Sequence, residues 1–231
     1  TIAAVVVEPV VQGAGGMKFH APEVLTRLRR LCDAHDVLLV FDEIFSGLGR
    51  LGSMLAGQLA GVTPDILTLS KTLTGGTMPL SATLASDTVF QAFQSDKLEH
   101  CLMHGPTFTG NALACAAANA SLDLFEAESR LAQVQALEKL LVPALAPCRD
   151  IPGVKDVRGQ GAIGVVELDV GGFEELTWLR GRFVEEGVFI RPFSDIVYLT
   201  PAYNIPADDL ARLCDVIVSV VAEWAARFKK T

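Results

Sequence analysis

Three short apolar runs, each closing on a polar residue, constrain the fold of this chain more than any other feature. Residues 3–7, Val37 to Phe41 and Ile66 to Leu69 are rich in Val, Leu and Ile without polar alternation. Runs of that length and composition are expected of strands covered on both faces of a parallel sheet. They end at Glu8-Pro9, at Asp42 and at Ser70-Lys71. Between the first two runs, Pro22 stands where a first helical residue belongs, and Val24, Leu25, Leu28 and Leu31 recur at helical spacing over 23–35. A fourth strand is predicted over Pro79 to Ala85, with helices between strands two and three and after strand four. Strands alternating with helices predict an α/β layer with a largely parallel sheet.

Further along, the pattern changes. Asn111 to Glu128 is alanine-rich and predicts one long helix, and Ser129 to Leu145 predicts a second. After Pro147, short strands (Gly161–Leu168, Val188–Arg191, Ile196–Leu199) are expected to alternate with helices at 173–186 and 206–228. That is the pattern of a smaller α+β domain. The boundary is placed near 128, giving domains 1–128 and 129–231. A length of 231 residues accommodates either one large domain or two small ones. The chain enters a buried-looking strand at residue 3 without an initiating Met, so further sequence is expected upstream.

Charge narrows the partners. There are 27 acids against 19 bases, a net charge of −8, and the acids are scattered. Nucleic acid and anionic membrane are therefore not expected as partners. No apolar run reaches the roughly 18 residues of a membrane span. The five cysteines, at 32, 101, 115, 148 and 214, include no CxxC pair, and the histidines show no ligand spacing. Reduced thiols in a cytoplasmic protein are expected, with no metal site.

Asp42 and Lys71 carry the chemistry. Both follow strands, and open parallel sheets collect ligands at the carboxyl ends of their strands. A lysine amine bonds an aldehyde, and a carboxylate keeps a pyridine nitrogen protonated, which together are the needs of pyridoxal phosphate. Taken singly, a strand-end Asp can equally be a cap and a Lys a solvated charge. Spacing alone leaves both readings open.

The words around these residues go further. The strings Glu8-Pro9-Val10-Val11-Gln12-Gly13-Ala14-Gly15-Gly16, Leu39-Val40-Phe41-Asp42-Glu43-Ile44 and Pro64-Asp65-Ile66-Leu67-Thr68-Leu69-Ser70-Lys71-Thr72-Leu73-Thr74-Gly75-Gly76 resemble the class III aminotransferases of pyridoxal-phosphate fold type I. His104-Gly105-Pro106-Thr107-Phe108-Thr109-Gly110-Asn111, Gly161-Ala162-Ile163-Gly164 and Ile190-Arg191-Pro192-Phe193 are similar to the biotin-biosynthesis branch of that family. The resemblance covers essentially the whole chain. It implies that 1–128 is the C-terminal portion of the large cofactor-binding domain and 129–231 the small domain. It also implies a homodimer with shared active sites.

Residue by residue, the resemblance makes Lys71 the Schiff-base lysine and proton shuttle, and Asp42 the partner of the ring nitrogen. Ile44 would pack on a ring face. Thr107, after Gly105-Pro106, would bind the cofactor phosphate of the neighbouring subunit. Arg191 would grip a substrate carboxylate, with Tyr198, Arg50 and Gly105 near the substrates. The reaction implied is transfer of an amino group from S-adenosylmethionine to 8-amino-7-oxononanoate. Alternatives are another class III enzyme acting on an ω-amino acid or diamine, and a non-catalytic fragment of the fold. A nucleotide-binding domain lacks support, because no Gly-rich turn follows a strand directly. The Gly13–Gly16 stretch is read as a tight turn without a phosphate role.

Two departures from the family pattern stand out. Phe45 occupies a place where many class III enzymes carry Gln, which fits the biotin branch better than the general ω-amino-acid enzymes. The family's glycine/serine phosphate turn and its stacking aromatic have no counterpart here, so the 231 residues alone are expected to be inactive.

Overall fold

A computed structural model describes residues 1–229 and divides them into two compact units. The first comprises Thr1–Gly13, Lys18–Gly49 and Ser53–Ser129; the second comprises Ala14–Met17, Arg50–Gly52 and the chain from Arg130 onward.

The first unit is built on a four-stranded sheet of β1 (Ala4–Val7), β4 (Leu38–Asp42), β5 (Ile66–Leu69) and β6 (Ala82–Ala85), in the order β1-β4-β5-β6. β1, β4 and β5 run parallel, while β6 pairs antiparallel to β5. The predicted parallel layer is thus present with one reversed edge. The connection from β5 to β6 holds only the 3-10 turn Lys71–Thr74 and no α-helix that would carry a parallel crossover. The predicted burial of β1 on both faces does not hold. Val6 is 68% exposed, and among the described residues β1 pairs only with β4. Composition marks a run as a strand but does not count its neighbours.

Helix α1 (Glu23–Ala34) begins after Pro22 as expected, with Leu25 and Cys32 buried. Asp65 ties this helix to the sheet. Its carboxylate accepts from the Leu39 N–H at 2.7 Å and from Arg29 Nη1 at 2.8 Å. Desolvation opposes this, but those bonds and the Arg29 charge hold the Asp65 carboxyl below the usual range. Between β4 and β5 there is a 3-10 helix, Ala56–Ala60, where a full helix was expected. A short hairpin of β2 (Val11–Gln12) and β3 (Lys18–Phe19) was not anticipated, since two-residue strands have no legible period. Helix α2 (Asp87–Gln91) is capped by the Ser86 hydroxyl, and α3 (Ala112–Ala127) by the Asn111 side chain accepting from the Ala114 N–H.

The second unit packs α4 (Arg130–Leu145), α5 (Phe173–Glu185) and α6 (Ala207–Phe228) with an antiparallel sheet, β7 (Val154–Gln160), β8 (Ile163–Leu168) and β9 (Ile196–Leu199). Its core contains Trp224, Phe183, Leu141, Val166 and Ile217. β7 was not anticipated, because its charged residues Lys155, Asp156 and Arg158 interrupt the apolar pattern and only Val157 is buried. The predicted strand Val188–Arg191 does not form. Val188 and Ile190 are buried, but the chain turns at once through Ser194, whose φ of 50° stops extension.

Candidate active site

In the first unit, three parallel strands deliver Glu8, Asp42 and Lys71 to the same, carboxyl edge of the sheet. Register puts Asp42 opposite Thr68, three residues before Lys71, on neighbouring strands about 4.8 Å apart. Asp42 is half-buried. Its Oδ1 accepts from the Ile44 N–H at 3.1 Å and from the Thr68 hydroxyl at 3.4 Å. Oδ2 has no protein partner among the described residues and remains available to a ligand. The backbone of Ile44 is therefore fixed directly beside Asp42.

Glu43 turns the other way and is almost fully buried, with 2% exposure. Its two oxygens accept from the backbone N–H groups of Ala56 and Gly57, at 2.6 and 3.0 Å. Desolvation pushes its carboxyl up, against the lowering effect of those two bonds. The residue fastens the chain just after Asp42 to the 3-10 helix. Sequence reading passed over it; the signal available was an acid following a buried strand with no basic neighbour.

Lys71 opens the 3-10 turn Lys71–Thr74 with φ of 33°, a left-handed conformation rare outside glycine. The surroundings lock this turn. Ser70 Oγ donates to Leu80 O at 2.7 Å, Thr74 Oγ1 to Met78 O at 2.6 Å, and Ser121 Oγ of α3 to Thr72 O at 3.0 Å. The Lys71 amine is exposed and lies 5.3 Å from the centroid of the Phe45 ring. Behind that ring is Gly13, where an added Cβ would come within 3.0 Å of Phe45 Cδ1. Its N–H donates to Glu8 Oε2 at 2.9 Å. The glycine is required by close approach, a role for the Gly13 turn that the sequence did not disclose.

Gly105, Pro106 and Thr107 lie in a segment, 101–110, in which every residue is exposed. Thr109 closes it into a turn by donating twice to Pro106 O, from N–H at 2.9 Å and from Oγ1 at 2.7 Å. A cavity of about 580 Å³ opens between this turn and Ser70, Ser81 and Thr83.

In the second unit, Arg191 and Tyr198 line a common pocket of about 320 Å³ with Ile190, Leu199 and Leu213. Arg180, unremarked in the sequence, donates through Nε and Nη2 to Pro192 O at 3.0 and 2.8 Å. That clamp leaves the next side chain, Arg191, exposed at the pocket mouth. Tyr198 sits edge-on to Phe193 at 5.4 Å. Arg50 is tied to backbone of its own unit. Its Nη1 donates to Ala162 O and Pro201 O at 3.2 and 2.8 Å, and its guanidinium lies 4.6 Å from the Tyr203 ring centroid. Burial pushes its pKa down. These contacts give it a structural task within the unit.

The geometry fits a small aldehyde-bearing heteroaromatic at the sheet edge, with a free carboxylate oxygen for a ring nitrogen and an amine for the aldehyde. The class III aminotransferase family model matches residues 1–221. The chain belongs to the class III aminotransferases. This family depends on pyridoxal phosphate. Among class III relatives, adenosylmethionine-8-amino-7-oxononanoate aminotransferase of Buchnera aphidicola subsp. Schizaphis graminum is 47% identical, over 94% of this chain and 49% of its own. The enzyme of the same name from Corynebacterium glutamicum is 41% identical, over 96% of this chain and 52% of its own. Among solved structures, the one of that name from Methanocaldococcus jannaschii superposes with a TM-score of 0.88 at 31% identity, covering 95% of this chain and 53% of its own. An omega transaminase from Pseudomonas jessenii in complex with PMP superposes with 0.91 at 30% identity, over 99% and 52%. The fold is therefore that of the fold type I class III aminotransferases. The chain spans about half the length of the curated relatives it matches.

Proposed function

We propose that this chain carries the lysine-bearing part of an enzyme that transfers an amino group from S-adenosylmethionine to 8-amino-7-oxononanoate, giving 7,8-diaminononanoate. The observation that carries the reading is the placement of a free Asp42 Oδ2 and the Lys71 amine at the ends of neighbouring parallel strands. The substrates follow from the names of relatives 41–47% identical to this chain. That identity exceeds the 30% shared with the omega transaminase, which favours this reading over an ω-amino-acid enzyme.

Pyridoxal phosphate, when bound, supplies an aldehyde through which amino groups are exchanged and a ring that withdraws electrons. Lys71 would provide the amine that holds the aldehyde, and its free amine would be the base at hand to move a proton. Asp42 Oδ2 would accept from the protonated ring nitrogen and keep that proton in place. Ile44 would border the ring. Arg191 binds the carboxylate of the oxo acid at the mouth of its pocket, since a planar fork suits a carboxylate, and Tyr198 shapes the same pocket. The exposed Gly105-Pro106-Thr107 turn is proposed to reach the cofactor phosphate of a second copy, in a homodimer. Residues 1–128 then belong to the large cofactor-binding domain and 129–231 to the small one. Buried thiols at Cys32, Cys148 and Cys214 accord with a reducing, cytoplasmic setting, and no helix among the described residues is long and apolar enough to cross a membrane.

The test is borohydride reduction of the whole, cofactor-loaded enzyme of which this chain is part, followed by peptide mapping, with donors compared in parallel. Label on Lys71 and amino transfer from S-adenosylmethionine are expected. Label on another lysine, or transfer only from ω-amino acids, overturns the reading.

A further inference from the structure

Lys71 combines an exposed side chain with long, freely turning bonds, and such a chain loses about 2 kcal/mol of rotamer freedom when held. No carboxylate holds it. Asp42 Oδ1 is taken by Ile44 and Thr68, Glu8 Oε2 by the Gly13 N–H, and Glu43 by Ala56 and Gly57. Among the described residues the amine has no ion-pair partner; its contact is the face of Phe45, with Nζ 5.3 Å from the ring centroid. That lies inside the distance at which an aromatic quadrupole attracts an ammonium. Gly13 lies so close to the ring that an added Cβ there would come within 3.0 Å of Phe45 Cδ1.

We infer that Phe45 is a positioning residue for Lys71, its ring holding the amine as an ammonium at the sheet edge whenever that amine is not bonded to an aldehyde. The inference rests on the proposed role of Lys71 and adds a resting place for it. The ring contributes no hydrogen bond and no charge, so it holds the amine without competing for a proton. An amide or aliphatic side chain at position 45 lacks that attractive face.

The experiment uses cofactor-free protein. Reductive methylation with 13C-formaldehyde gives a dimethyl-lysine signal that stays cationic, assigned to position 71 by its loss in Lys71→Arg. In the wild type and in Phe45→Tyr it is expected upfield, under the ring current; in Phe45→Leu it moves to the ordinary lysine position. In parallel, arylation of Lys71 by trinitrobenzenesulfonate is expected about two- to fivefold faster in Phe45→Leu, the factor set by an exposed cation–π contact, and unchanged in Phe45→Tyr. A wild-type signal at the ordinary position overturns the inference without any variant at position 45, and so does equal reactivity in a folded Phe45→Leu. Borohydride labelling is read separately. Its failure at Lys71 removes the cofactor assignment and leaves the ring contact measurable.

Discussion

Replacing Glu43 by Ala removes the acceptor of two buried backbone donors, Ala56 N–H and Gly57 N–H. With the side chain 2% exposed, water does not reach those donors without rearrangement. Each orphaned donor costs about 1–3 kcal/mol, so Glu43→Ala is expected to destabilise the first unit by about 2–6 kcal/mol. The assay is urea unfolding followed by hydrogen exchange at the two amides, whose protection should fall by at least about thirtyfold. The pH dependence has a definite sign. Burial raises the Glu43 carboxyl above its unfolded value, so its contribution is fully present below the ordinary carboxylate range and declines as pH rises through the raised value. The gap between wild type and Glu43→Ala should therefore narrow with rising pH across that window. A loss below about 1 kcal/mol, or a gap that widens with pH there, would refute the buried-acceptor account.

Two other substitutions test the chemistry. Asp42→Asn should still bind pyridoxal phosphate but turn over about a hundred- to a thousandfold more slowly, because a neutral amide cannot stabilise a protonated ring nitrogen; near-normal steady-state turnover would contradict this role. Arg191→Ala should raise KM for 8-amino-7-oxononanoate about 10- to 150-fold, the value of one charge-assisted bond, and leave S-adenosylmethionine nearly unaffected. Equal rises for both substrates would mean that Arg191 shapes the pocket generally.

Sequence and structure agree where a residue's role is set locally. Asp42 ends one legible apolar run and Lys71 closely follows another, and a strand's end fixes its edge of the sheet. α1, α3, α4, α5 and α6 followed from helical spacing and caps. What stayed hidden depended on partners far along the chain. Glu43 looked like one more acid until Ala56 and Gly57 turned their N–H groups onto it. Arg50 resembled a ligand-facing cation, yet its donors go to carbonyls more than 100 residues away, at Ala162 and Pro201. The valines of β1 read as buried on both faces, because a run of that composition does not reveal what covers each face. Val188 and Ile190 have strand composition, but Ser194 and the Arg180 clamp on Pro192 turn that segment aside.

On the proposed role of Lys71, position 71 sets stability and chemistry against each other. With φ at 33°, the backbone there suits glycine, and a side-chain-bearing residue bears about 1–2 kcal/mol of steric cost. Lysine is kept where a smaller residue would relax the turn. Random mutagenesis screened only for thermal resistance should therefore drift toward Lys71→Gly and yield sturdier, inert proteins. Selection for activity must hold the chain short of its most comfortable sequence at this one turn.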